Sequence, residues 1–157
     1  MRRILLYIVI LGATLAMPTE SFDIGKLLPV QVVAIYKEND KVILQTDTQD
    51  MGIGGNAIEA LQDLKDTASG IIYLDTAQYL LLGEDTARAV EDLRGELKAS
   101  VRLCTVEETV DLTETAAFLD AHGQLPKLKQ WESGMKLPVL SKTRNSLTFL
   151  KKVEKSA

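Results

Sequence analysis

Gly52-Ile53-Gly54-Gly55-Asn56-Ala57 matches the pattern G-x-G-x-x-A and runs into a stretch of helical periodicity. Glycines in that pattern let the backbone approach a pyrophosphate resting on a helix N-terminus, and an acid some twenty residues further on binds the ribose. Asp75 stands where that acid would be. Gly52, Gly54, Gly55 and Asp75 thus define one candidate chemistry: a small-ligand or nucleotide-binding protein, or a secreted enzyme using the Gly52–Ala57 loop. Two features oppose it. The polar run Asp47 to Met51 separates the glycines from the preceding strand, and Asp47 and Asp50 would repel a pyrophosphate. The competing expectation is that these glycines serve backbone conformation, because glycine reaches positive φ at little cost.

The remaining reactive side chains are few. The one histidine, His122, falls in the last turn of an expected helix, where the helix dipole favours a cation. No G-x-S-x-G elbow accompanies it, so no serine nucleophile is assigned. The one cysteine, Cys104, lies in the apolar run VRLCTV and reads as a small buried hydrophobe. One cysteine and one histidine exclude a cysteine-based zinc cage and a multi-histidine metal centre. Asp47, Asp50, Glu84, Asp85, Glu107, Glu108 and Asp111 lack the spacing of a calcium loop and read as solvated loop and cap residues. Trp131, in KQWESG, reads as a packing residue. No catalytic residue, no metal ligand and no cofactor is expected.

Something must position these groups. With 46% apolar and 25% charged residues over 157 positions, the chain has the balance of a globular protein rather than a disordered one. Its 18 basic and 22 acidic side chains leave a charge of −4, which argues against a nucleic-acid partner. Arg2 and Arg3 precede the apolar run Ile4 to Leu11 and the small residues Gly12 to Ala16. That is the pattern of an export signal, too short for the roughly 20 residues that span a bilayer comfortably. Residues 1–16 are therefore expected to be a signal peptide or short membrane anchor. Residues 17–29 are expected to be a linker, residues 30–125 an α/β domain, and residues 126–157 a basic C-terminal tail. Export also places the protein where nicotinamide cofactors are scarce.

Within the domain, Val30 to Lys37 and Lys41 to Thr46 predict a hairpin around Glu38-Asn39-Asp40. Residues 46–56 read as a loop. Asn56 caps a helix, with Glu59 placed for a capping box, and Ala57, Ile58, Leu61, Leu64 and Ala68 form its apolar face. Gln78 to Leu82 reads as a strand. A second helix follows, with Ala87, Val90, Leu93 and Leu97 inward and Gly95 liable to end it early. Val101 to Val106 is a strand and Thr113 to His122 a helix closed by Gly123. Leu137 to Leu140 and Leu147 to Val153 are candidates for a last hairpin. The expected core includes Leu61, Leu64, Leu80, Leu82, Val90, Leu93 and Val101. The fold class is α/β (α+β mixed): a mixed sheet with an N-terminal hairpin and β-α-β-α-β units, helices packed on the sheet. Lysines and arginines from Lys127 to Lys155 make the tail basic, which reads as a solvated face or as one suited to an anionic membrane surface or an acidic partner.

The stretch from Val30 to Leu119 resembles the N-terminal domain of the C subunit of bacterial spore germinant receptors, the Ger(x)C family, of which this chain looks like a short divergent relative. The family helix with an E-A-x-x-x-L core is matched by Glu59, Ala60 and Leu64. The family's aromatic-containing segment ending in Gly-Glu is matched by Tyr73, Leu80, Leu82, Gly83 and Glu84, with Thr76 where the family has histidine. The resemblance implies a non-enzymatic interaction module in spore germination, working beside a transporter-like membrane subunit; the residues alone equally allow a structural interaction domain unrelated to spores. It implies a location at the outer face of the cell or spore inner membrane, or secretion. No cysteine follows the N-terminal apolar run, so no lipid anchor is expected.

Overall fold

A computed structural model describes residues 24–122, 124–143 and 146–150. The expected export signal, Gly123 and the last basic residues lie outside these. The fold grows from the hairpin. β2 (Val32–Glu38) and β3 (Lys41–Thr46) pair antiparallel from Glu38↔Lys41 to Val33↔Thr46. Asn39 and Asp40 join them with φ of 49° and 61°, the left-handed pair of a primed turn whose twist suits the strands.

β3 then pairs with β4 (Met51–Gly54), a strand inside the segment expected to be a loop. α1 (Ala57–Thr67) packs on both, its N-terminus capped as expected: Asn56 Oδ1 accepts from the Glu59 amide at 2.9 Å. Ala57, Ala60, Leu61 and Leu64 are its buried face. Ile58, expected inside, is exposed, because Ala60 rather than Ile58 meets the strand. β6 (Tyr79–Leu82), β7 (Arg102–Val106) and β8 (Val139–Thr143) extend the sheet in parallel from β2, and β9 (Ser146–Phe149) closes it antiparallel. The seven-stranded order is β4-β3-β2-β6-β7-β8-β9.

α2 (Ala87–Leu93) links β6 to β7 and α3 (Leu112–His122) follows β7. α2 does end early, before Gly95, and buries Ala89, Val90 and Leu93, leaving Ala87 exposed. Side-chain alternation along the strands splits the core in two. Val33, Ile35, Leu80, Leu82 and Leu103 meet α1 and α2 on one face. Val32, Ala34, Tyr79, Leu81, Cys104 and Val106 meet α3 on the other. Each of the seven residues expected in the core is buried.

Both ends of the domain reach beyond the expected boundaries. β1 (Leu27–Pro29), within the segment read as linker, pairs in parallel with β5 (Ile71–Tyr73) as a separate two-stranded sheet. The front of the expected basic tail is core: Leu128 and Trp131 are buried on the α1–α2 face, and the expected last hairpin forms as β8 and β9. Their burial explains the difference, since apolar residues spaced among lysines satisfy a sheet face while the lysines stay in water. Among the described residues, no helix is long and apolar enough to cross a membrane.

Candidate functional site

The glycine motif has a structural cause other than a phosphate cradle. A Cβ on Gly52 would lie 2.1 Å from the Ala60 carbonyl oxygen and 2.4 Å from the Leu64 amide nitrogen. One on Gly54 would lie 2.4 Å from the Ala60 amide nitrogen. Only glycine lets α1 press this closely on the edge strand. The expected positive φ is absent at Gly52, Gly54 and Gly55; among the described glycines only Gly134 has it. The close approach protects the sheet edge: Asp63 accepts from the Ile53 amide at 2.8 Å, and Thr67 donates to the Met51 carbonyl at 3.4 Å. These are the groups that an unpaired edge would offer to another chain.

The rest of the nucleotide constellation is not assembled. At the N-terminus of α1 the Glu59 carboxylate accepts from the Gly55 amide at 2.8 Å and from the Asn56 side-chain amide at 2.9 Å. The chain's own anion thus occupies the place a phosphate would take. Asp75 sits in the turn leading into β6, where Thr76 donates to the Val30 carbonyl, at the amino ends of β2 and β6. Gly54 lies beside Val42, at the carboxyl end of β2. The glycines and Asp75 are therefore at opposite ends of the sheet.

The other sequence candidates are mostly tied into the fold. His122 Nδ1 donates to the Phe118 carbonyl at 2.9 Å, and its ring stacks on Phe118 with centroids 4.3 Å apart. Cys104 is buried, and desolvation pushes its thiol up to about 12, far from a working nucleophile. Asp47 accepts from the Gln31 and Val32 amides, Asp50 from Thr48, and Asp111 caps α3 through the Thr113 and Glu114 amides. Among the described residues, no three His, Cys, Asp or Glu side chains converge as a metal site.

One polar network was not foreseen. Tyr79, expected only as part of an apolar strand, donates its hydroxyl to Asp120 at 2.7 Å and accepts from Arg102 at 3.0 Å, while Gln31 donates to Asp120 at 3.0 Å. Burial, then the neighbouring Asp120, raises the Tyr79 phenol above its ordinary value. The network fastens α3 to the amino ends of β2, β6 and β7.

The opposite, carboxyl end is where the molecule is open. β6 is followed by α2 on one face and β7 by α3 on the other, so the connections part between these two strands. Open α/β sheets bind ligands at such a point. The β6–α2 turn is held here by Gly83, whose amide donates to the Ile35 carbonyl at 2.8 Å, and by buried Thr86, which donates to the Gly83 carbonyl at 2.8 Å. Asp85 between them has a φ of 56°. A hollow of about 550 Å³ opens between this turn, the end of β7 and the segment Trp131–Leu137. Across Asp85 a second hollow of about 690 Å³ reaches Lys37, Arg88 and the start of α1. The walls given by Met135 and Leu137 had no counterpart among the sequence candidates; the apolar spacing from Leu128 through Trp131 to Leu137 was the signal for them.

The family-like positions fall into two groups. Ala60, Leu64, Leu80 and Leu82 are buried, Glu59 caps α1, and Gly83 supports the turn. Tyr73 and Glu84 are exposed, Tyr73 on β5 and Glu84 at the carboxyl edge. Comparison with protein families, characterised proteins and solved structures finds no match to this chain.

Proposed function

We propose that this protein is an exported, non-catalytic interaction module that acts beside a membrane protein, in the manner its resemblance to the germinant-receptor C subunit implies. The observation that carries this reading is the division of the family-like residues. Those matched in α1 and β6 build the frame, while Glu84 is presented to solvent on a braced turn at the open end of the sheet. The tethering of His122 and the burial of Cys104 favour binding over chemistry. The partner is a transporter-like membrane subunit, with the exposed lysines Lys127, Lys129, Lys136 and Lys142 available to an anionic surface.

Fractionation of growing cells and of spores tests the reading. The protein is expected in the spore membrane fraction. Retention through a high-salt wash indicates a partner held by apolar burial, whereas release indicates contact through the lysines, screened over about 8–10 Å. Protein confined to the cytosol with Met1 unprocessed overturns export and the partner role together.

A further inference from the structure

We infer that the outer face of the small β1–β5 sheet rests on a lipid bilayer in which the apolar run Ile4 to Leu11 is seated. The inference rests on the proposed place beside a membrane and adds which face of the domain meets the lipid. Leu27 pairs with Ile71 and Pro29 with Tyr73, and residues paired in a parallel register share a face. The alternate residues, Leu28 and Ile72, pack on the α1–α2 core, so Leu27, Pro29, Ile71 and Tyr73 point away from it. Ile71 is 43% exposed and Tyr73 40%, with Pro29 exposed and Leu27 half-buried beside them. A contiguous apolar face of this kind marks a protein or membrane contact. Tyrosine suits the level of lipid headgroups, with its ring in the apolar layer and its hydroxyl in water.

The sequence that precedes β1 decides for a bilayer. Seven residues, 17–23, separate Ala16 from Ile24, and Leu27 follows three residues later. Fully extended, such a stretch reaches at most about 25–30 Å. A compact domain of roughly 130 residues is about 35 Å across. With the apolar run in the lipid, the end of the domain that carries β1 therefore stays near the bilayer, and the carboxyl end with Glu84 cannot turn round to reach it. β1 and β5 lead into the amino ends of β2 and β6. Exposed Lys98, Lys127 and Lys129 lie at the amino end of β7, where the Lys98 carbonyl accepts from the Val101 amide and Lys127 bridges to Arg102. Lysines at that end meet anionic headgroups. Exposed Asp75 stands two positions beyond Tyr73, so apolar burial rather than net charge carries the contact.

Cys104 is buried, so a cysteine introduced at an exposed position takes up a thiol-reactive fluorophore alone. The full chain carrying Ile71→Cys is labelled in this way and added to vesicles of phosphatidylethanolamine and phosphatidylglycerol in equal parts, with and without brominated acyl chains as quencher. Ile58→Cys is the control: Ile58 is as exposed, at 47%, but stands at the start of α1 near Lys37 and Asp85, at the carboxyl end. The bilayer is expected to quench the dye at position 71 several-fold more than the dye at position 58, and still to do so in high salt. Tyr73→Ser in the Ile71→Cys chain is expected to lower that quenching about twofold, by loss of an interfacial aromatic. Equal quenching at both positions, quenching at neither while the chain stays on the vesicles, or loss of quenching at position 71 in high salt overturns the inference and leaves the membrane placement, which fractionation tests separately. Chain that remains in the supernatant overturns it as well. So does protection of position 71 only by native membranes and not by vesicles, which makes the face a protein-docking surface.

Discussion

Gly52→Ala isolates the contact on which the α1 edge depends. The added methyl would meet Ala60 O at 2.1 Å, Leu64 N at 2.4 Å and Leu64 Cβ at 2.7 Å, and two of these are backbone atoms that cannot swing away. Ordinary contact needs well over 3 Å, so α1 must lift from β4 by about 1 Å. Overpacking of this kind costs about 1–3 kcal/mol. The lift also strains the Asp63 and Thr67 bonds to the edge, each worth roughly 0.5–1.5 kcal/mol. Alanine returns roughly 0.5–1 kcal/mol by restricting the unfolded chain. The net loss is about 2–4 kcal/mol, or roughly 5–15 °C in Tm. Gly95→Ala is the control: nothing lies within 4 Å of a Cβ there and φ is not positive, so it should stabilise by about 0.4–1 kcal/mol. Urea unfolding of the two variants reads both values. A Gly52→Ala loss under about 0.5 kcal/mol would refute the close helix–strand packing.

Leu80→Ala, at a fully buried central-strand position, should cost about 2–5 kcal/mol in the same assay. Stability should fall as pH rises above about 8.5: the folded Cys104 thiol is raised to about 12, so the unfolded thiol ionises first. The Tyr79 phenol, raised by burial and Asp120, acts in the same direction at higher pH. That contribution is complete below the unfolded pKa and lost towards pH 12, and a Cys104→Ala variant should show a flatter alkaline limb by urea unfolding. Calorimetric titration with NAD, NADP and ATP should show no binding, since Glu59 fills the helix N-terminus and Asp75 lies at the other end of the sheet. Saturable binding abolished by Gly54→Val would contradict this.

The α/β class was legible because strand and helix periodicities in this chain are strong and agree with their caps. The Asn39-Asp40 turn, the Asn56 cap and the alternation of Leu80 and Leu82 each point to one structure. β4 was not legible, because Met51–Gly54 carries two glycines that depress strand propensity. Their purpose is a long-range contact with Ala60 and Leu64, which local pattern does not register. Tyr79 was read by its ring and not its hydroxyl, since its partner Asp120 is 41 positions away. Of the open end, Gly83 and Glu84 were marked by resemblance and Asp85 and Glu107 as solvated acids. What joins them is strand order, which brings the ends of β6 and β7 together and sets Trp131–Leu137 beside them.

The most direct test of the proposed function is nutrient-triggered germination in a strain lacking this gene alone, followed by the fall in optical density of a purified spore suspension. The account predicts slower germination, restored by the intact gene. Germination at the normal rate, in spores that lack the protein, would contradict a role beside a germinant receptor.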